Sequence, residues 1–80
     1  MTNERRDLYK ALEIITSNAN QPALNWAVDY ATYAKIMITS NARDEDLTTQ
    51  ILYVLNNITR WQHPEAKSVR ETLKAFVKAH

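Results

Sequence analysis

Acid–base and hydrolytic chemistry needs side chains that titrate or attack and that converge on one substrate. In this 80-residue chain the side chains of suitable type are few, namely His63, His80, Glu13, Asp29, Asp44, Glu45, Asp46 and the four tyrosines. None of them falls in a spacing typical of a catalytic site. The sequence therefore predicts no catalytic residues, and we expect a protein that is not an enzyme.

The chain contains no glycine and no cysteine. Phosphate-binding loops and dinucleotide fingerprints need glycine backbone conformations, and zinc knuckles, thiolate nucleophiles and disulfides need cysteine. Asp44, Glu45 and Asp46 are successive residues that point in different directions, so they suit a helix start, with Asp44 as its cap, better than a metal ion. We expect no cofactor and no metal site.

A basic stripe runs through the C-terminal segment, where positively charged residues recur at intervals of three and four: Arg60, Lys67, Arg70, Lys74 and Lys78. Residues 60–80 carry a local charge of +3 and residues 1–59 a local charge of −2, although the whole chain is only +1. Phosphate contacts by these side chains, with stacking by Trp61 or His63, make nucleic-acid binding one hypothesis. A solvated lysine face explains the same pattern.

An aromatic stripe is the second candidate surface. Trp26, Tyr30, Tyr33 and Met37 recur at helical spacing, and Tyr53 lies off the main apolar face of its own segment. Tryptophan, tyrosine and methionine are frequent at protein interfaces, but such a stripe also fits a core. The sequence leaves both interpretations open.

Four segments with helical periodicity must position these residues, over approximately residues 4–17, 22–38, 45–61 and 64–79. We expect Thr2 or Asn3 to cap the first helix, Asn18 or Asn20 to end it in the left-handed conformation, and Pro22 and Pro64 to open later helices. The predicted fold is a single all-α domain of four helices over residues 1–80. Its predicted core residues are Leu8, Ala11, Leu12, Ile15, Leu24, Ala27, Ala31, Ala34, Ile38, Leu47, Ile51, Val54, Leu55, Ile58, Trp61, Ala66, Val69, Leu73, Phe76 and Val77.

The compartment is constrained by two further features. The longest aliphatic or aromatic run, residues 51–55, is far shorter than the about 20 residues that cross a bilayer, and the charged N-terminus does not resemble a secretory signal. We expect a cytoplasmic protein without membrane contact.

The segments Leu52–Trp61 and Glu65–Arg70 together resemble parts of short all-helical proteins of phages and prophages, without identifying a specific family. The resemblance implies a small accessory or host-directed protein of a mobile element. Our first hypothesis is therefore a noncatalytic protein-interaction module, including a homodimer, that uses the aromatic stripe. The alternative is a nucleic-acid-binding accessory protein that uses the basic stripe.

Overall fold

The structure is a computed structural model that describes residues 2–80, so Met1 of the predicted domain lies outside the described residues. It contains four α-helices: α1 (Asn3–Thr16), α2 (Ala27–Thr39), α3 (Asp44–Asn56) and α4 (Ala66–Ala79). The radius of gyration is 11.3 Å, close to the about 12 Å expected for a packed chain of this length. The prediction of an all-α four-helix fold is confirmed.

Each helix packs against two others. α2 contacts α1 and α3, α4 contacts α1 and α3, and the α1–α4 contact closes the ring. The four apolar faces therefore meet at one core. Of the predicted core residues, all are buried except Leu55 and Val77, which are half-buried at the edge of the core.

The α1 boundaries follow from local hydrogen bonding. The Thr2 side chain accepts a hydrogen bond from the Arg5 amide at 3.1 Å, which confirms it as the cap. The predicted left-handed asparagine after α1 is wrong. Within residues 2–80 the one non-glycine residue with positive φ is Asn41, at 60°, while the Asn18 side chain instead donates to the Ile14 carbonyl.

The second and third predicted helices are shorter than their apolar periodicity suggested. Pro22 opens only a 3-10 turn, Pro22–Leu24, and α2 starts at Ala27. Predicted helical residues 57–61 belong to the connection from α3 to α4, yet Ile58 and Trp61 are buried. Consecutive turns explain this: the Ile58 amide binds the Leu55 carbonyl and the Trp61 amide binds the Ile58 carbonyl.

The starts of α3 and α4 also differ from expectation. Asp44 was predicted to cap α3, but it is the first helical residue and Arg43 holds the cap position without a side-chain hydrogen bond. Pro64 was predicted to open the last helix, but it lies in a turn and α4 begins at Ala66. The Asp44 carboxylate is consequently available to pair with other parts of the chain.

Candidate functional site

The predicted aromatic stripe divides into exposed and half-buried members. Trp26 is 65% exposed, Tyr33 56% and Tyr53 49%, whereas Tyr30 and Met37 pack partly against the core. The Trp26 carbonyl accepts a hydrogen bond from the Tyr30 amide at 3.2 Å, so Trp26 continues the register of α2. Trp26 and Tyr33 therefore project along one side of α2.

Helix α3 brings Tyr53 to this surface. The Tyr30 and Tyr53 rings contact each other with centroids 5.7 Å apart and planes tilted by 36°. One helical turn before Tyr53, the side-chain Nε2 of Gln50 donates a hydrogen bond to the Tyr30 carbonyl at 3.0 Å. A ring contact and a polar contact thus fix the packing of α2 against α3 at this end.

Sequence reasoning missed Ile36, which is 56% exposed. It lies three residues after Tyr33 and therefore borders it on the outer side of α2. Its spacing from Tyr33 was the available signal, but Ile36 belongs to neither of the two stripes that helical periodicity defines. We define the aromatic face by the following residues: Trp26, Tyr30, Tyr33, Ile36, Met37 and Tyr53.

Leu52 is also exposed but does not extend the aromatic face. It is two residues from Gln50, about 200° around α3, and Gln50 points toward α2. Leu52 therefore lies toward the other side of α3. A single exposed leucine of this kind is normal on a protein surface.

The aromatic face carries little charge. Residues 47–59 contain no charged side chain, and α2 contains only Asp29 and Lys35. Lys35 turns away from this surface, because its ammonium lies over the Tyr9 ring of α1 and contacts the Thr16 hydroxyl at 3.3 Å. Asp29, which is exposed, is the remaining charge beside the face.

The predicted basic stripe is not one continuous surface. Arg60, Lys67, Lys74 and Lys78 are exposed, but Arg70 is half-buried. Its guanidinium donates to the carbonyls of Ile58 and Trp61 at 3.2 and 3.0 Å. Arg70 therefore holds the connection between α3 and α4.

Trp61 and His63, the residues predicted to stack on nucleic-acid bases, also form contacts within the chain. Trp61 is buried, so its prediction as a stacking residue is wrong. Its indole Nε1 donates to the Gln21 side chain at 3.1 Å. The His63 ring stacks on Trp61 with centroids 5.4 Å apart, and its Nδ1 accepts a hydrogen bond from the Glu65 amide.

A cluster of charged side chains joins the ends of three helices. Arg5 of α1 contacts Asp44 of α3 at 2.7 Å and also donates to the Ala42 carbonyl at 2.6 Å. The two ring nitrogens of His80 lie 2.6 Å from Glu4 and 3.3 Å from Asp44. The Arg5 hydrogen bond lowers the pKa of Asp44, burial partly opposes this, and electrostatic interaction with His80 and Arg5 lowers the pKa further.

This cluster is a set of ion pairs between helix ends. Within residues 2–80 no group of three or more His, Cys, Asp or Glu side chains is arranged to hold a metal ion. Glu45 and Asp46, the two acidic residues that follow Asp44, form ion pairs with the nearby Arg43, at 3.1 Å and 3.3 Å respectively. The cluster therefore ties α1, α3 and α4 together.

An open groove of about 440 Å³ lies between α1 and α4. Its floor is formed by Leu8, Val69 and Phe76, and its walls include Ala11 and Ala75. Glu4, Asp7 and Lys10 line one side of it. The charges of this rim are mixed, so they favour no single class of ligand.

In the part of the chain that the structure describes, no helix is both long and apolar enough to cross a membrane. Comparisons with protein families, with curated proteins and with solved structures find no match to this chain.

Proposed function

We propose that this chain is a noncatalytic protein-interaction module of the cytoplasm whose contact surface is the aromatic face. One observation carries the proposal: the aromatic side chains of Trp26, Tyr33 and Tyr53 are about half or more exposed, and Tyr53 contacts the Tyr30 ring where α3 packs against α2. The fold does not need their exposed surface. Its removal from water by a partner would stabilise the complex.

The size of this surface supports the proposal. A tryptophan or tyrosine presents about 150–250 Å². The exposed fractions of the three aromatic residues therefore leave roughly 300–400 Å² in water, before Ile36 is added. Burial of that area is worth roughly 8–10 kcal/mol before the costs of association are subtracted.

The composition of the surface also supports a protein partner. The centres of protein interfaces are enriched in tryptophan, tyrosine and methionine and depleted in lysine, glutamate and aspartate. The aromatic face has this composition, and Asp29 is its one charged neighbour on α2. The resemblance of the C-terminal half to phage and prophage accessory proteins adds a host protein to the candidate partners.

A photo-crosslinking experiment tests the proposal. Benzoylphenylalanine replaces Tyr33 or, as a matched exposed control on α4, Lys74, and cells expressing each variant are illuminated. We expect discrete protein adducts from position 33 only, and we expect Trp26→Lys to weaken them. Circular dichroism establishes that the variants fold. Equal adducts at both positions, or none at position 33, would contradict the proposal.

Nucleic-acid binding is the second candidate function. Lys67, Lys74 and Lys78 are exposed on α4, and within residues 2–80 none of the three forms an ion pair. Glu71 places a negative charge on the same helical face, and the Arg70 guanidinium is hydrogen-bonded to the Ile58 carbonyl. Three lysines predict weak binding that depends steeply on salt.

Fluorescence anisotropy with a labelled DNA duplex tests this candidate. If the lysines contact phosphates, Lys74→Glu weakens binding and lowers the slope of log affinity against log salt by about one. Tyr33→Ser, which leaves the charge unchanged, is the control and leaves binding unchanged. Undetectable or salt-independent binding removes this candidate.

A further inference from the structure

We propose that the aromatic face binds a second copy of this chain, with α2 packed antiparallel against α2 of the partner around a two-fold axis near Tyr33. The inference rests on the proposed function and names the partner for the same surface. Three observations support it: the exposed area, the order of large and small residues along α2, and the placement of charge.

The exposed area is of the size that a small dimer requires. A standard protein interface buries about 800 Å² on each partner, and 56–65% of such a surface is apolar, which is roughly 450–520 Å². The aromatic residues alone supply roughly 300–400 Å², and Ile36 adds to this. The exposed margins of Tyr30 and Met37 supply part of the remainder.

The order of residues along α2 is self-complementary. In an antiparallel pair centred on Tyr33, each residue faces the one equally far from position 33 on the partner. Trp26 and Ser40, which flank α2, then face each other, a large side chain opposite a small one, and Tyr30 lies at the same axial level as Ile36 of the other copy. Residues 26, 33 and 40 are seven apart and share one side of the helix. A two-fold axis requires this kind of matching within one surface.

The placement of charge permits this packing. Asp29 faces Met37 in the same pairing, so the two copies of Asp29 are offset by eight residues, or about 12 Å along the helix axis. At physiological ionic strength the Debye length is about 8 Å, so their repulsion is largely screened. The ammonium of Lys35 stays over Tyr9 on the α1 side.

Absolute mass measured by light scattering on a sizing column tests the inference, from micromolar to submillimolar protein at low and high salt. We expect twice the chain mass of 9.3 kDa at high concentration, and resistance of the dimer to salt. Tyr33→Arg is expected to raise the dissociation constant by about 10- to 100-fold with unchanged helicity. Lys74→Glu, on the helix across the bundle, is the matched control.

The register is tested by distances between spin labels, since the chain contains no cysteine of its own. A nitroxide on Thr39→Cys, an exposed position off the aromatic face, is expected about 20–30 Å from its symmetry mate, because the two positions are offset by twelve residues along the antiparallel helices. If Tyr33→Arg unfolds the chain, Trp26→Lys replaces it in the mass measurement. Trp26 is the more exposed of the two residues.

A monomer throughout the concentration series overturns the inference, and so does a dimer that Tyr33→Arg or Trp26→Lys leaves intact. A dimer with a markedly different distance between the Thr39 labels overturns the antiparallel register. Failure of the inference is distinguishable from failure of the proposed function. A monomer that still forms adducts with another protein at position 33 keeps the proposed function, whereas a monomer without adducts removes both.

Discussion

The indole nitrogen of Trp61 donates a 3.1 Å hydrogen bond to the side-chain oxygen of Gln21, joining two connecting segments that are 40 residues apart. Trp61 is buried although it lies outside the helices, and the His63 ring covers one side of it. The indole therefore links the segment before α2 to the segment before α4. It fills the core with a side chain carried by irregular backbone.

Trp61→Ala is expected to destabilise the fold by about 3–5 kcal/mol, because it leaves a large cavity and removes the hydrogen bond to Gln21. Domains of this size have a total stability of about 4–12 kcal/mol, so the loss would approach complete unfolding. Urea unfolding followed by circular dichroism measures the change.

The other tryptophan supplies the control for this prediction. Trp26 is largely exposed, so Trp26→Ala is expected to change the unfolding free energy of the monomer by about 0.5 kcal/mol or less. The measurement is made at protein concentrations below any association. Similar losses from both substitutions would mean that Trp26 belongs to the core.

Helical spacing found the buried residues of α3 and its connection but misplaced the end of the helix. Residues three apart share a side in an α-helix and also in consecutive turns bonded from residue i to residue i+3. Ile58 and Trp61 have this spacing and are buried in such turns. The pattern therefore predicted which side chains are inside without deciding the backbone that carries them.

The sequence could not predict which residues of the aromatic stripe are packed and which are exposed, for a different reason. Tyr30 and Tyr33 are three residues apart on α2, yet one packs against Tyr53 and the other is exposed. Their difference depends on the side from which α3 approaches α2. Periodicity within one helix contains no information about the position of its neighbour.

Arg70→Leu is expected to destabilise the fold by about 1–3 kcal/mol. The guanidinium donates to the carbonyls of Ile58 and Trp61, and removing it leaves part-buried acceptors without their charged donor. Thermal or urea unfolding measures the loss. A purely solvated arginine would show a change within about 0.5 kcal/mol.

Lys74→Leu is the matched control for Arg70→Leu, since both residues are basic positions on α4. Lys74 is exposed, so Lys74→Leu is expected to leave the unfolding free energy within about 0.5 kcal/mol of the parent chain. Equal effects at the two positions would contradict the structural role of Arg70. The comparison also separates a stabilising arginine from the lysines considered for phosphate contact.

Asp44→Asn is expected to remove a pH-dependent part of the stability. Hydrogen bonding to Arg5 lowers the pKa of Asp44 in the folded chain, so the folded state binds this proton less readily than the unfolded state. The stabilisation is fully present above the ordinary carboxyl pKa of 3.8 and is lost as pH falls from there through the lower folded pKa. Unfolding free energies at a series of pH values measure this difference.

The expected result is a stability gap between the parent chain and Asp44→Asn that narrows below about pH 4. Asp46→Asn is the control on the same helical turn, since Asp46 contacts the exposed Arg43. Parallel curves for the parent and Asp44→Asn across the acid range would contradict the assigned role of Arg5.

Thr48→Val is expected to raise the stability of the fold. Among residues 2–80, the hydroxyl of Thr48 is one of the buried polar groups that meet no hydrogen-bond partner. Valine keeps the shape and the branched Cβ of threonine, so the helix propensity of α3 changes little. Removing a buried, unpaired hydroxyl is expected to gain about 0.5–1 kcal/mol in urea unfolding.

Thr49, the next residue, provides a control for this prediction. The Thr49 hydroxyl is exposed and donates to the Glu45 carbonyl at 3.1 Å, so Thr49→Val loses a hydrogen bond without relieving a buried polar group. It is expected to leave stability unchanged or slightly lower. A gain at Thr49 equal to that at Thr48 would trace the effect to valine in α3, and a loss at Thr48 would show that its hydroxyl is satisfied in solution.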